Sequence, residues 1–83
     1  MFTVRWKRVA RDRLAELWLA APDRAAVTQA THHIDQLLCS NPENKGESRD
    51  NGRRVLLVPP LGVVFRIRET DRVVEVLRVW SFK

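Results

Sequence analysis

The sequence predicts an α+β domain with an antiparallel sheet and two helices on one of its faces. A strand and the two helices precede a three-stranded antiparallel meander, in the order β-α-α-β-β-β. Three observations support this: alternating apolar residues in 2–6, helical spacing between 10 and 40, and renewed alternation after 53. With 83 residues, the chain has room for one domain, spanning 1–83. Its composition, 45% hydrophobic and 30% charged, is typical of a globular protein rather than a disordered one.

The first strand and the first helix are predicted from the spacing of apolar residues. Phe2, Val4 and Trp6 alternate with polar residues, as in a strand with one buried face. A helix is expected from about Ala10, with an apolar face formed by Leu14, Leu17, Trp18 and Ala21. Pro22 then indicates a break at Ala20–Asp23, because proline is poorly tolerated inside a helix.

The second helix has a more regular apolar stripe than the first. The stripe consists of Val27, Ala30, Ile34, Leu37 and Leu38, and Ser40-Asn41-Pro42 is a stop signal. Residues 41–52 are polar and hold two of the three glycines, which predicts a surface loop long enough to be mobile or to bind a partner.

Three strands follow the loop. They are expected at Arg53–Val58, Val63–Arg68 and Val73–Phe82, with a turn at 59–62 and a tight loop at 69–72.

The 69–72 loop fixes the register between the last two strands. Pairing Arg68 with Val73 sets Arg66 opposite Glu75 as a cross-strand ion pair. The same register directs Phe65 and Ile67, beside Val76 and Val74, toward the helices. Arg78 has the same parity as those core valines, so it is expected at the end of the sheet, past a bulge, or in a polar concavity.

The charge is concentrated in the second half of the chain. The net charge is +5, with +1 in residues 1–48 and +4 in residues 49–83, and twelve of the fifteen cations are arginine. Arginine suits phosphate and carboxylate groups, which indicates nucleic acid or an acidic peptide as a partner, although a GC-rich genome also favours arginine.

The arginines of the three strands predict a nucleic-acid-binding face. Arg54, Arg66 and Arg68 all occupy even positions, so we expect them on one exposed face, with Trp80, Phe82 and Lys83 at its far end. Such a face suits RNA, because cations hold phosphates and aromatic rings stack on bases. The alternative is a solvated face with Arg–Glu pairs.

Other classes of protein are excluded or disfavoured. No apolar run approaches the length of a membrane span, and the charged start of the sequence does not resemble a secretion signal. A single cysteine, Cys39, fits a reducing cytoplasm. His32 and His33 are expected to be solvated, and no spacing of ligands predicts a metal site or a cofactor.

The element order and the segment GVVFRIRETDRVVEVLRVWSF resemble the RelE/ParE superfamily of toxins from bacterial type II toxin–antitoxin modules. The resemblance covers essentially the whole chain. It implies neutralisation by an acidic and hydrophobic antitoxin peptide, bound on the basic sheet face or against the two helices. It also implies one of two targets: the ribosome, where RelE-like members cut mRNA, or DNA gyrase, which ParE-like members inhibit without a nuclease site.

The resemblance transfers to individual residues only in part. The RNases of the superfamily carry basic residues before the central turn, and Arg53 or Arg54 occupies that place here. They also carry a basic residue near the C-terminus, which Lys83, with Arg78, can replace. The arginine that the RNases carry after the turn falls at Gly62 or Val63, and their C-terminal tyrosine has no counterpart.

From the sequence we therefore expect a ribosome-dependent mRNA-cleaving toxin with Arg53, Arg54, Arg78 and Lys83 as candidate catalytic residues. A gyrase-directed toxin and a non-toxic relative acting as a binding module are the alternatives. The sequence indicates no oligomeric state.

Overall fold

The structure, a computed structural model, describes residues 1–82 and has two helices packed on one face of a five-stranded sheet. The helices are α1 (Arg8–Ala20) and α2 (Arg24–Ser40). The strands are β1 (Thr3–Trp6), β2 (Glu47–Ser48), β3 (Arg53–Val58), β4 (Leu61–Arg68) and β5 (Val73–Ser81). Two single-turn 3₁₀ helices, Pro42–Asn44 and Asp50–Gly52, flank β2. Among residues 1–82, no helix is both long and apolar enough to cross a membrane.

The strand order in the sheet is β1-β5-β4-β3-β2. β1 pairs in parallel with β5, and the other pairs are antiparallel. The prediction of an α+β domain with this element order is confirmed, with two corrections. The sheet is mixed rather than wholly antiparallel, because the helical hairpin between β1 and the meander is a connection long enough to bring two strands parallel. The polar loop also contributes a short strand, β2, so that the meander has four strands rather than three.

The predicted helices agree with the structure. The break falls between Ala20 and Arg24, where the side chain of Asp23 accepts a hydrogen bond from the amide of Ala26 at 3.1 Å and caps α2. The stripe of α2 is buried at four positions, Val27, Ala30, Ile34 and Leu38, with Leu37 partly buried. Of the apolar face predicted for the first helix, Leu14, Leu17 and Ala21 pack against the core as predicted, whereas Trp18 is 38% exposed and donates from Nε1 to the hydroxyl of Thr28 at 3.2 Å.

The core lies between the helices and one face of the sheet. Phe65 and Ile67 on β4 lie beside Val76 and Val74 on β5, as predicted, and Arg66 lies opposite Glu75. The turn before β4 is shorter than predicted. It consists of Pro59 and Pro60 alone, because Leu61 and Gly62 already pair with both β3 and β5.

A β-bulge determines where Arg78 lies. Val64 pairs with Arg78, but Phe65 pairs with Val76, so Leu77 is an extra residue in β5. A bulge of one residue reverses the side on which the following side chains lie. Arg78 therefore shares a face with Val64, away from the helices, which is one of the three placements expected for it.

Candidate anion-binding face

The side of the sheet that faces away from the helices carries a group of cations. Arg66 and Arg68 on β4 lie on this outer face, which Arg53 of β3 shares because it pairs directly with Arg66. Arg78 joins them through the bulge in β5, and Lys7 extends the group from the end of β1.

Glu75 lies at the centre of these cations and is only 4% exposed. Nε of Arg66 donates to Oε1 of Glu75 at 2.7 Å, and Nε of Arg68 lies 3.4 Å from the same oxygen. Nζ of Lys7 lies 3.9 Å from Oε2. The hydrogen bond from Arg66, with the charges of Arg66, Arg68 and Lys7, holds the pKa of Glu75 below its ordinary value of 4.5, although burial acts in the opposite direction.

Beside this cluster is a shallow depression of about 270 Å³, which we call the cationic hollow. It is lined by Lys7, Val9, Arg53, Val64, Leu77 and Arg78. Three of these six residues are cations, three are aliphatic, and none is an acid, a histidine or a tyrosine. Arg53 and Arg78 take part in no ion pair among residues 1–82.

The start of α1 adds to the positive potential of the hollow. Val9, in the first turn of α1, lines the hollow, and that turn contains no acidic side chain and no side-chain cap. The amino end of a helix carries a partial positive charge. The hollow can therefore bind an anionic group against an aliphatic floor.

The prediction that Arg54 shares a face with Arg66 and Arg68 is wrong. Arg54 pairs with the buried Phe65, and its guanidinium donates to the carbonyls of Lys45 and Gly46 and to the hydroxyl of Ser48. A hairpin turn with an even number of residues pairs even with odd positions, so Arg53 rather than Arg54 accompanies Arg66. Arg54 holds the 45–48 segment against β3.

The two predicted aromatic residues are separated. Trp80 lies on the outer face above Gly62, its partner on β4. Phe82 instead lines a cavity of about 440 Å³ with Leu17, Ala21 and Pro60, at the end of the helical hairpin. Phe82 therefore does not extend the outer face. Lys83 lies outside the described residues.

The structure explains the departure from the family pattern after the turn. A Cβ atom at Gly62 would lie 2.5 Å from two ring carbons of Trp80, so the indole occupies the space that a side chain would need. Val63 is fully buried. Neither position can present a cation on the outer face while Trp80 keeps this position.

Sequence reasoning missed two residues of the face. Lys7 was not linked to it, because alternation shows which side of β1 is buried but not which strand β1 joins. Glu75 was identified only as the partner of Arg66. His32 and His33 are exposed on α2, and no three His, Cys, Asp or Glu side chains within residues 1–82 are arranged to hold a metal ion.

Comparison with known proteins identifies the family. The family model described as ParE toxin of type II toxin–antitoxin system, parDE, matches residues 4–82. A search of the curated proteins finds no match.

Solved structures share the fold. The RelBE2 toxin–antitoxin complex from Mycobacterium tuberculosis contains a chain with a TM-score of 0.76 and 22% identity, over 96% of this chain and 90% of that one. The chromosomal ParDE system from P. aeruginosa contains a chain with a TM-score of 0.76 and 22% identity, over 100% of this chain and 98% of that one. The isolated E. coli RelE toxin has a TM-score of 0.70 and 13% sequence identity, over 100% of this chain and 86% of that one.

At sequence identities of 13–22%, the solved structures show only that the fold is shared. The family model matches residues 4–82, which is nearly all of the described chain. The resemblance inferred from the sequence is confirmed. The chain belongs to the ParE toxin family of type II toxin–antitoxin systems, within the RelE/ParE superfamily.

Proposed function

We propose that this toxin acts without cutting RNA, as a gyrase-directed ParE-like protein whose outer sheet face binds its target. The observation that best supports this is the composition of the cationic hollow: among residues 1–82, its lining has three cations to bind an anion and no acid, histidine or tyrosine. Glu75, the carboxylate among the neighbouring cations, is buried and ion-paired.

RNA cleavage by the ribose 2′-hydroxyl requires a group that accepts the hydroxyl proton and donors that stabilise the charge developing on the phosphate. The hollow supplies the donors. Glu75 is a poor proton acceptor, because its ion pairs lower its pKa and its neighbours cover it. The histidines are on α2, on the opposite side of the sheet from the hollow.

Ribosome-dependent mRNA cleavage is the second candidate. It is favoured by the convergence of Lys7, Arg53 and Arg78, which suits a phosphate, and by Trp80 on the same face, which suits a base. It is weakened by Gly62, where the arginine of the RNases has no room.

Induction in a bacterial host tests the two mechanisms together. The expected result is growth arrest with no new mRNA 5′ ends in register with codons, and inhibition of DNA supercoiling by purified gyrase when the purified toxin is added. Arg53→Ala and Arg78→Ala should each relieve arrest and inhibition. Arg49→Ala removes the same charge outside the hollow and should retain both. New mRNA 5′ ends in register with codons would refute the proposal and support the nuclease. If cells tolerate expression of the toxin and gyrase stays active, the protein acts only as a binding module.

We further propose that a cognate antitoxin binds the helical hairpin. The RelBE2 and ParDE relatives are toxin–antitoxin systems. In this chain, α1 and α2 border a groove of about 540 Å³ with Leu14, Trp18, Leu19 and Val27 among its lining residues and Arg11 at its edge. Leu19 is 63% exposed. The groove suits a segment with apolar side chains and a few acids, and its apolar character favours it over the cationic sheet face.

Two exposed leucines provide a matched test of the antitoxin site. Leu19 lies in the groove, whereas Leu57, 56% exposed, lies on the outer face. If the antitoxin occupies the groove, Leu19→Glu abolishes co-purification with the acidic product of a neighbouring reading frame, and Leu57→Glu preserves it. The reverse pattern would place the antitoxin on the sheet.

A further inference from the structure

Glu75 has an unusual position for an acid on an exposed sheet face. Its neighbours in the sheet are Arg66 on β4 and Arg5 on β1, so cationic positions flank it on both sides. The side chains of Arg66, Arg68 and Lys7 keep 38–50% of their own surface exposed, whereas that of Glu75 is only 5% exposed. One carboxylate is therefore covered by three long side chains.

The cations of the outer face fall into two classes as a result. Arg66 and Arg68 share Oε1 of Glu75, at 2.7 and 3.4 Å. The bond from Arg66 is a charge-assisted hydrogen bond, and such bonds are about twice as strong as neutral ones, so a ligand would have to compete with Glu75 for Arg66. Arg68 makes no hydrogen bond to Glu75 but is held to the same oxygen by an ion pair. Arg53 and Arg78 have no such partner among residues 1–82 and border the hollow. Lys7 borders the hollow and is linked to Glu75 only weakly, at 3.9 Å.

We propose that Glu75 is a positioning residue that acts as an internal counter-anion: it holds Arg66 and Arg68 away from the ligand and confines anion binding to the hollow between Lys7, Arg53 and Arg78. The ligand class is a compact, multiply charged anion, either phosphate groups or clustered carboxylates. This inference rests on the proposed function, in which the outer face of the sheet binds the target.

Isothermal titration of the purified chain with tripolyphosphate, at low and moderate salt, tests the proposal. Glu75→Gln keeps the size of the side chain and an oxygen acceptor for Arg66 but removes the charge. We expect it to bind tripolyphosphate about fivefold more tightly and with a steeper salt dependence, because two more cations become available. Asp71→Asn, in the exposed turn between β4 and β5, makes the same change in net charge and should alter affinity by less than about twofold, because Asp71 takes part in no ion pair among residues 1–82.

A second set of variants decides the question even if Glu75→Gln does not fold, as judged by circular dichroism. Arg68→Ala should leave affinity within about twofold of the unmodified chain, whereas Arg53→Ala and Arg78→Ala should each weaken it about fivefold. If Glu75 had only a structural role, Glu75→Gln would bind tripolyphosphate with unchanged or lower affinity, and never with higher affinity.

Several results would overturn the inference. The inference fails if Glu75→Gln and Asp71→Asn bind tripolyphosphate with equal affinity. It also fails if Arg68→Ala weakens binding as much as Arg78→Ala does, or if the unmodified chain binds no anion. Citrate and pyrophosphate, which carry comparable charge near neutral pH, separate the two ligand sources, since tighter binding of one of these two probes assigns the hollow to carboxylates or to phosphates. Because the titration measures neither growth arrest nor gyrase activity, its failure is distinguishable from failure of the proposed function.

Discussion

Replacing Gly62 with alanine should force Trp80 off the outer face and destabilise the domain. The added Cβ would lie 2.5 Å from two ring carbons of Trp80 and 2.8 Å from Nε1, well inside the optimum of about 3.5–4.0 Å between carbon atoms. Gly62 pairs with Leu57 on one side and with Trp80 on the other, so its backbone cannot easily move away. The indole must move instead.

Overpacking of this kind costs about 1–3 kcal/mol. Taking about 2 kcal/mol, Tm should fall by about 8–16 °C, since 1 kcal/mol corresponds to about 4–8 °C in a domain of this size. Urea denaturation followed by circular dichroism measures the free energy of unfolding, with unchanged m-values confirming that the denatured state is not altered.

The Trp80→Ala background provides the decisive control. With the ring removed, the three atoms that lie nearest to a Cβ at position 62 are gone, and alanine there should stabilise the strand by about 0.5–1 kcal/mol relative to glycine. Gly62→Ala should therefore lower the free energy of unfolding when Trp80 is present and raise it when Trp80 is replaced by alanine. A similar loss of stability in both would refute the steric argument and point to the backbone of Gly62.

Three further outcomes are expected. Asp23→Ala removes the cap of α2 and should lower the free energy of unfolding by about 1 kcal/mol in urea denaturation, whereas Asp12→Ala, exposed within α1, should change it by less than about 0.5 kcal/mol. Because the folded pKa of Glu75 is depressed, its ionised form stabilises the fold above pH 4.5, and this contribution disappears as the pH falls through the folded pKa. The stability difference between the unmodified chain and Glu75→Gln should thus be largest near neutral pH and shrink under acid conditions, and a pH-independent gap would contradict the ion-pair assignment. Arg54→Ala removes three hydrogen bonds to the 45–48 segment and should speed amide hydrogen exchange at Arg49, while Arg53→Ala should leave that exchange unchanged.

Local patterns were sufficient to predict α2 and the pairing of β4 with β5. The stripe of α2 has the period of a single buried face, and the four-residue loop between β4 and β5 allows one register that buries Phe65 and pairs Arg66 with Glu75. Both elements are determined by residues close in sequence, where spacing and loop length suffice.

The remaining features depend on long-range pairing. Alternation in β1 shows which side is buried, but parallel pairing with β5 follows from the path of the helical hairpin. β2 has only two residues, both polar, and forms because Arg54 holds the segment around it. The extra residue at Leu77 has no local sequence signal, and without it Arg78 would face the core.

The parallel pairing of β1 with β5 has a consequence for the order in which the protein is assembled. Thr3 lies beside Val73, so residues at opposite ends of the described chain must meet before the sheet is complete, and β5 also contacts β4 and α1. Such distant contacts slow folding, because the intervening chain must be ordered before they form. During synthesis, the polypeptide cannot complete its sheet until residues 73–81 have been made. Leu77 and Arg78 of the cationic hollow belong to that same strand, so the hollow cannot form before the sheet is complete.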